Sequence, residues 1–245
     1  VCQATACRVL KLVLGNGEDA HVSCSVKSEA LELLQGRLRG ASVTGRGWAS
    51  RLGLTARTVA VDVGAASVDI GALFRRRTVE FRNPPPSGTA TVVFDAEDFG
   101  NFIAHKLVRR ARLAGRNFEF KREGVVVEPL AGGGFVEFGG RWGNDCVRVR
   151  LSPTGGERGV VAAVSRGDGE SGKVEDADAG PADLDSLAAA VGNYFDRLEI
   201  DLDGPKLRFV SLSFVEGGGV GVGKVKLELG IVVPKLPSVR AVASF

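Results

Sequence analysis

The sequence predicts an α+β fold in which one strongly curved antiparallel β-sheet wraps around one or two amphipathic helices. Apolar residues alternate in Val59, Val61 and Val63, again in Val68 and Ile70, and again in Thr89, Thr91 and Val93, as half-buried strands require. Two stretches switch to helical spacing: Phe99, Phe102, Ile103 and Leu107 share one face, and so do Leu184, Leu187, Ala188, Val191, Phe195 and Leu198. The 34 glycines break the strands often enough to favour bulges and strong curvature.

In order, a strand at 7–14 and another around 21–26 flank an Asn16-Gly17 turn and read as a hairpin. Ser28 caps a short helical turn carrying Leu31 and Leu34, and a glycine-loosened strand runs from 37 to 48. Pro84, Pro85 and Pro86 close one strand because proline has no N–H for the ladder, and Ser87-Gly88 opens the next. Asp95 suits the N-cap of the first helix, and Asp98 adds a second carboxylate at its positive end. Phe118 and Phe120 alternate with charged neighbours, and Gly124 turns the chain into 125–127, a second hairpin. Strands follow around Phe135, Val136 and Phe138, around Val147, Val149 and Leu151, and at 160–164.

Residues 166–182 contain one large apolar side chain, Val174, amid Gly, Asp, Glu and Ser, so a flexible acidic loop is expected there. Pro181 and Asp183 suit the first turn of the second helix, and strands at 199–202, 207–215 and 224–233 complete the chain.

One continuous domain over 1–245 is expected, since a chain of this length buries roughly 75% of its surface on folding. With 44% hydrophobic and 25% charged residues the composition is globular, and no apolar run approaches the ~20 residues of a membrane helix. Cys2, Cys7, Cys24 and Cys146 form neither a CxxC pair nor a metal-ligand spacing, so free thiols in a reducing compartment are expected, with no metal and no cofactor. There is no methionine, so the initiator is expected to have been removed or to lie upstream, and a targeting segment is not visible.

Net charge is only +3, but its distribution is uneven. Between His105 and Arg122 stand Lys106, Arg109, Arg110, Arg112, Arg116, Lys121 and Arg122 against Glu119 alone, and Arg75, Arg76 and Arg77 form a second cluster. A solvated face is the plain explanation. Nucleic acid is not expected, because the basic stretch lacks interleaved exposed aromatics: Tyr194 is the single tyrosine, and Phe118 and Phe120 alternate like core residues.

Catalytic signatures fail on inspection. Gly218 to Lys224 approaches a phosphate-cradling loop, but Val225 stands where the metal-ligating hydroxyl belongs, and a strand pattern follows instead of a helix. His21 and His105 adjoin no nucleophile motif, and Asp201 with Asp203 lacks the glycine and glutamate of a calcium loop. The chain is therefore read as a non-enzyme.

Several blocks in a fixed order carry a resemblance: GRLRGASVTGRGW, GLTARTVAVDVG, ALFRRRTVEF, PPSGTATVVF and DAEDFGNFIAHKL, then LDGPKLRFVSLSFVEGGG and VKLELGIVVPKLP. Together they resemble the LmeA-like phospholipid-binding family, the closing blocks being similar to members from photosynthetic organisms; roughly 130–182 lies outside the likeness. The resemblance implies an elongated barrel related to tubular lipid-binding domains, with an apolar cavity between helix and sheet. It also implies a chloroplast location.

Helical faces supply the site. Binding, and in an extended form transfer, of an anionic phospholipid or glycolipid at a peripheral membrane surface would lay acyl chains against Phe99, Phe102, Ile103, Leu107, Leu187, Val191 and Phe195. If the first helix continues past Leu107, then Lys106, Arg109 and Arg110 meet the head group at a basic mouth. Each buried methylene contributes ~0.8 kcal/mol, so acyl chains would outweigh surface charges. The alternative is a scaffold or assembly factor that binds a protein partner through the basic face, with the seven apolar residues serving only as core.

Overall fold

The computed structural model describes residues 21–29, 31–32, 35–49, 53–69, 71, 75, 80–82, 84–108, 111–130, 133–155, 159–167, 180–202, 204–217 and 223–235. The expected strand at 7–14, its Asn16-Gly17 turn, Cys2 and Cys7, the pair Arg109 and Arg110, most of the acidic stretch (168–179), Asp203 and the glycine run 218–222 lie outside them.

In chain order the elements of the first part are β1 (His21–Lys27), β2 (Arg37–Leu38), β3 (Gly40–Ala49), β4 (Thr55–Val63), β5 (Ala66–Ser67), β6 (Ser87–Phe94) and α1 (Ala96–Ile103). Then come β7 (Ala111–Leu113), β8 (Arg116–Phe120), β9 (Val126–Leu130), β10 (Gly133–Trp142), β11 (Asp145–Pro153) and β12 (Val160–Arg166). The last are α2 (Pro181–Asp196), β13 (Glu199–Asp201), β14 (Lys206–Glu216) and β15 (Gly223–Val232). The fold is α+β, with antiparallel sheets and two amphipathic helices.

The chain divides into two compact units, one of Val1–Val92, Glu199–Arg208 and Glu228–Phe245, the other of Val93–Leu198 and Phe209–Leu227. In the first, β1, β3 and β4 open a seven-stranded sheet of order β1-β3-β4-β6-β15-β14-β13, and β2 pairs with β5. The buried side of β6 is Ala90, Val92 and Phe94, not the expected Thr89, Thr91 and Val93. A period of two leaves the choice of face open, and the set that ends in Phe94 is the more apolar, so it is the one turned from water.

In the second unit a six-stranded sheet has the order β12-β11-β10-β8-β7, with β9 also pairing with β10. The expected hairpin of 118–120 with 125–127 does not form. β8 and β9 follow one another along the same edge of β10: Lys121 N–H donates to Gly139 O at 2.9 Å, and Val126 opposes Glu137. Five steps along one chain there face two along β10, so three residues are looped out around Gly124. Gly100 of α1 rests on this loop, where a Cβ would meet Arg122 O at 2.1 Å, so only glycine allows the approach.

Asp95 caps α1 as expected, its Oδ1 accepting from Asp98 N–H at 2.8 Å. The helix stops at Ile103, one turn short of Leu107. His105 N–H donates to Phe102 O, three residues back, and His105 Nδ1 accepts from Leu107 N–H at 3.3 Å, so 104–108 close into turns. In α2 Pro181 occupies the first turn, and Asp183 Oδ2 accepts from Gly180 N–H at 2.9 Å.

Candidate functional site

Both helices turn their apolar stripes into one core within the second unit. Phe99, Phe102 and Ile103 from α1 and Leu187, Val191 and Phe195 from α2 are each at most 4% exposed. Phe138 of β10 links the two sets, its ring centroid 6.2 Å from that of Phe99 and 6.2 Å from that of Phe195. Phe94 stacks on Phe102 at 5.2 Å, and Phe120 lies 6.0 Å from Phe195. Each such ring contributes its buried area and a preferred edge or offset contact. Leu107 stands apart, half-buried in the turn after α1.

Lys106 is exposed in the same turn and lines a groove of about 790 Å³ with Arg112, Asn117, Glu119, Arg141 and Asn144. Strand register explains the assembly. Arg112 of β7 opposes Asn117 of β8, and Glu119, two residues on and therefore on the same face, opposes Arg141 of β10. Asn144 sits in the two-residue turn between β10 and β11. Arg141 Nη2 reaches Glu119 Oε2 at 2.7 Å, and Arg112 Nε donates to Gly115 O at 3.1 Å. Among the described residues the Lys106 ammonium and the amide side chains of Asn117 and Asn144 bond to nothing else. Three cations against one engaged carboxylate favour an anion, and the volume suits a small ligand or head group.

Contacts beside the groove tie its strands together. Trp142 Nε1 donates to Leu113 O at 2.8 Å, tying β10 to β7, and the Arg116 guanidinium lies 4.5 Å from the Trp142 ring centroid while reaching Asp145 Oδ2 at 3.3 Å. Gly140 admits the Phe118 ring, whose Cζ would be 2.3 Å from a Cβ placed there. Tyr194 of α2 donates to the Val108 carbonyl, and desolvation pushes its hydroxyl pKa up to about 12.

Among the described residues no group of His, Cys, Asp and Glu could hold a metal ion, and no helix is long and apolar enough to cross a membrane. Sequence reasoning named Lys106 for the head group and Arg112 only as a member of the same basic cluster; Arg141, Asn117 and Asn144 it did not name. A β-strand signature at 116–120 and 133–142 was the available signal, yet it does not say which strands pair.

The family model for LmeA-like phospholipid binding matches residues 11–228. The chain belongs to the LmeA-like phospholipid-binding family. Searches of curated proteins and of solved structures gave no significant match. The match runs through 130–182, so β10, which supplies Arg141 to the groove, belongs to the LmeA-like region as much as α1 does.

Proposed function

We propose that this LmeA-like protein binds an anionic phospholipid without transforming it, head group in the groove at Lys106, Arg112 and Arg141. The observation that carries this reading is the cation surplus of that groove in a chain of a phospholipid-binding family. A phosphodiester would take charge-assisted hydrogen bonds from the two guanidinium groups and the ammonium, and the two Asn amides offer both donors and acceptors to polar head-group atoms.

Acyl chains would lie against Phe99, Phe102, Ile103, Leu187, Val191 and Phe195, with Leu107 at the rim. These side chains pack against one another, so an acyl chain would have to displace part of that packing to reach them. About ten methylenes so buried would contribute ~8 kcal/mol towards that displacement. Arg109 and Arg110, which follow Lys106 in the chain, would add to the same positive field. Carriage of the lipid between membrane surfaces, in a chloroplast, is the extended form of this reading.

Native mass spectrometry of the protein purified gently from its own cells, followed by lipid extraction, tests it. A stoichiometric anionic phospholipid is expected, lost in Lys106→Gln/Arg112→Gln at unchanged melting temperature. A lipid-free protein that also takes nothing from anionic vesicles would leave the helix faces as ordinary core and favour a protein-binding scaffold.

A further inference from the structure

The outer face of the six-stranded sheet, turned away from the aromatic core, carries aliphatic side chains that the groove does not use. Val126 and Leu130 on β9 are 49% and 55% exposed and Val161 on β12 is 54% exposed, while their chain neighbours Val127 and Val160 point inward and are buried. Register places cations beside them. Val126 opposes Glu137, Glu137 opposes Arg150 and Arg150 opposes Ala163, one row across four strands. In the next row Arg148 opposes Gly139, and the stem of Lys121 lies over that glycine, its Cδ 3.3 Å from where a Cβ would be.

The two halves of the face meet at Arg150, whose guanidinium lies 3.9 Å from the Phe135 ring centroid. Five cations (Arg112, Lys121, Arg141, Arg148 and Arg150) share this face with Glu119, Glu128 and Glu137. Glu119 is engaged by Arg141, and Glu137 by Arg148 and Arg150, at 2.7 to 3.0 Å. Exposed aliphatics at one end and a cation surplus at the other form the pattern of an interfacial anchor: the aliphatics enter the head-group boundary while Lys and Arg meet anionic lipid.

We infer that this sheet face is the surface by which the protein docks on an anionic bilayer, with Val126, Leu130 and Val161 entering the interface and Lys121, Arg148 and Arg150 contacting head groups. The inference rests on the reading that the ligand is a membrane lipid, but the residues it assigns to docking are not those that line the groove, although Arg112 and Arg141 of the groove lie on the same sheet face.

Flotation with phosphatidylglycerol/phosphatidylcholine vesicles, against vesicles of phosphatidylcholine alone, tests it, with bound phospholipid counted separately by native mass spectrometry. The wild-type chain should float with the anionic vesicles and stay behind with the neutral ones. Lys121→Gln/Arg148→Gln and Val126→Ser/Leu130→Ser should each lower partitioning about tenfold, raised salt should mimic the first pair, and the bound lipid per protein should not change. All four residues are exposed, and a melting temperature within a few degrees of wild type confirms the fold. Flotation unaffected by both variants, or equal on neutral vesicles, overturns the docking face. Normal, variant-sensitive flotation of a protein that holds no lipid supports the docking face and refutes the cargo site alone.

Discussion

Tyr194 on α2 donates its hydroxyl to the backbone carbonyl of Val108, so the second helix is anchored to the turn that follows the first and carries Lys106. Tyr194→Phe removes the only partner that α2 supplies to that carbonyl among the described hydrogen bonds. A loss of about 1–2 kcal/mol is expected by denaturant unfolding, with faster amide exchange at 104–108.

The same residue gives an alkaline signature. Desolvation raises its pKa to about 12, above the ordinary value near 10, so the folded state holds the proton more tightly than the unfolded one. Stability is therefore unaffected below pH ~10 and falls between pH ~10 and ~12. Tyr194 is the single tyrosine, so phenolate absorbance reports it alone, and Tyr194→Phe should abolish both the absorbance change and that part of the alkaline destabilisation.

Gly100→Ala reverses the usual rule for an exposed helix position. Alanine favours helix by about 1 kcal/mol over glycine, but its Cβ would meet Arg122 O at 2.1 Å. A net destabilisation of roughly 1–3 kcal/mol is expected in urea unfolding, since a backbone carbonyl cannot swing aside. A gain in stability would show that the looped-out residues around Gly124 yield easily.

Ala114 has φ +45° in the two-residue turn between β7 and β8, a region that costs an L-residue roughly 1–2 kcal/mol. Ala114→Gly should raise stability by up to about 1 kcal/mol after the extra freedom of glycine in the unfolded chain is counted. Thermal unfolding checks this, and lipid binding should be unchanged because Arg112 bonds to the backbone of Gly115.

Glu137 is pushed up by burial, but hydrogen bonds and charge from Arg148 and Arg150 outweigh this and hold its carboxyl below the ordinary range. Its contribution is thus present above the ordinary Glu pKa and lost as pH falls through the depressed folded value. Both arginines are about half exposed, so the effect is at most about 1 kcal/mol per pair. Acid unfolding curves of the wild type and Glu137→Gln should converge at low pH and separate towards neutrality.

Features decided within a few residues were legible in the sequence. Asp95 as a cap, Pro181 and Asp183 in a first turn, and Leu187, Val191 and Phe195 on one face all follow from rules that span one or two helical turns. The end of α1 was not legible, because the His105 ring competes for the Leu107 N–H and ends the helix before the apolar spacing does. Nor was the path of 116–130, where Gly124 looked like a hairpin turn and is instead part of a loop in a chain that keeps following β10.

The groove shows the division most directly. By itself the sequence determined the α+β class, the two amphipathic helices, the family and a positive charge density after α1, since composition, periodicity and ordered motifs are properties of the chain alone. Only the tertiary structure decided that Lys106, Arg112 and Arg141 line one groove, because Arg141 lies 29 residues beyond Arg112 and joins it through the β7–β8–β10 ladder. Strand pairing is chosen by the burial of whole faces and not by any local signal, so residues that meet across a sheet become neighbours only when the sheet forms.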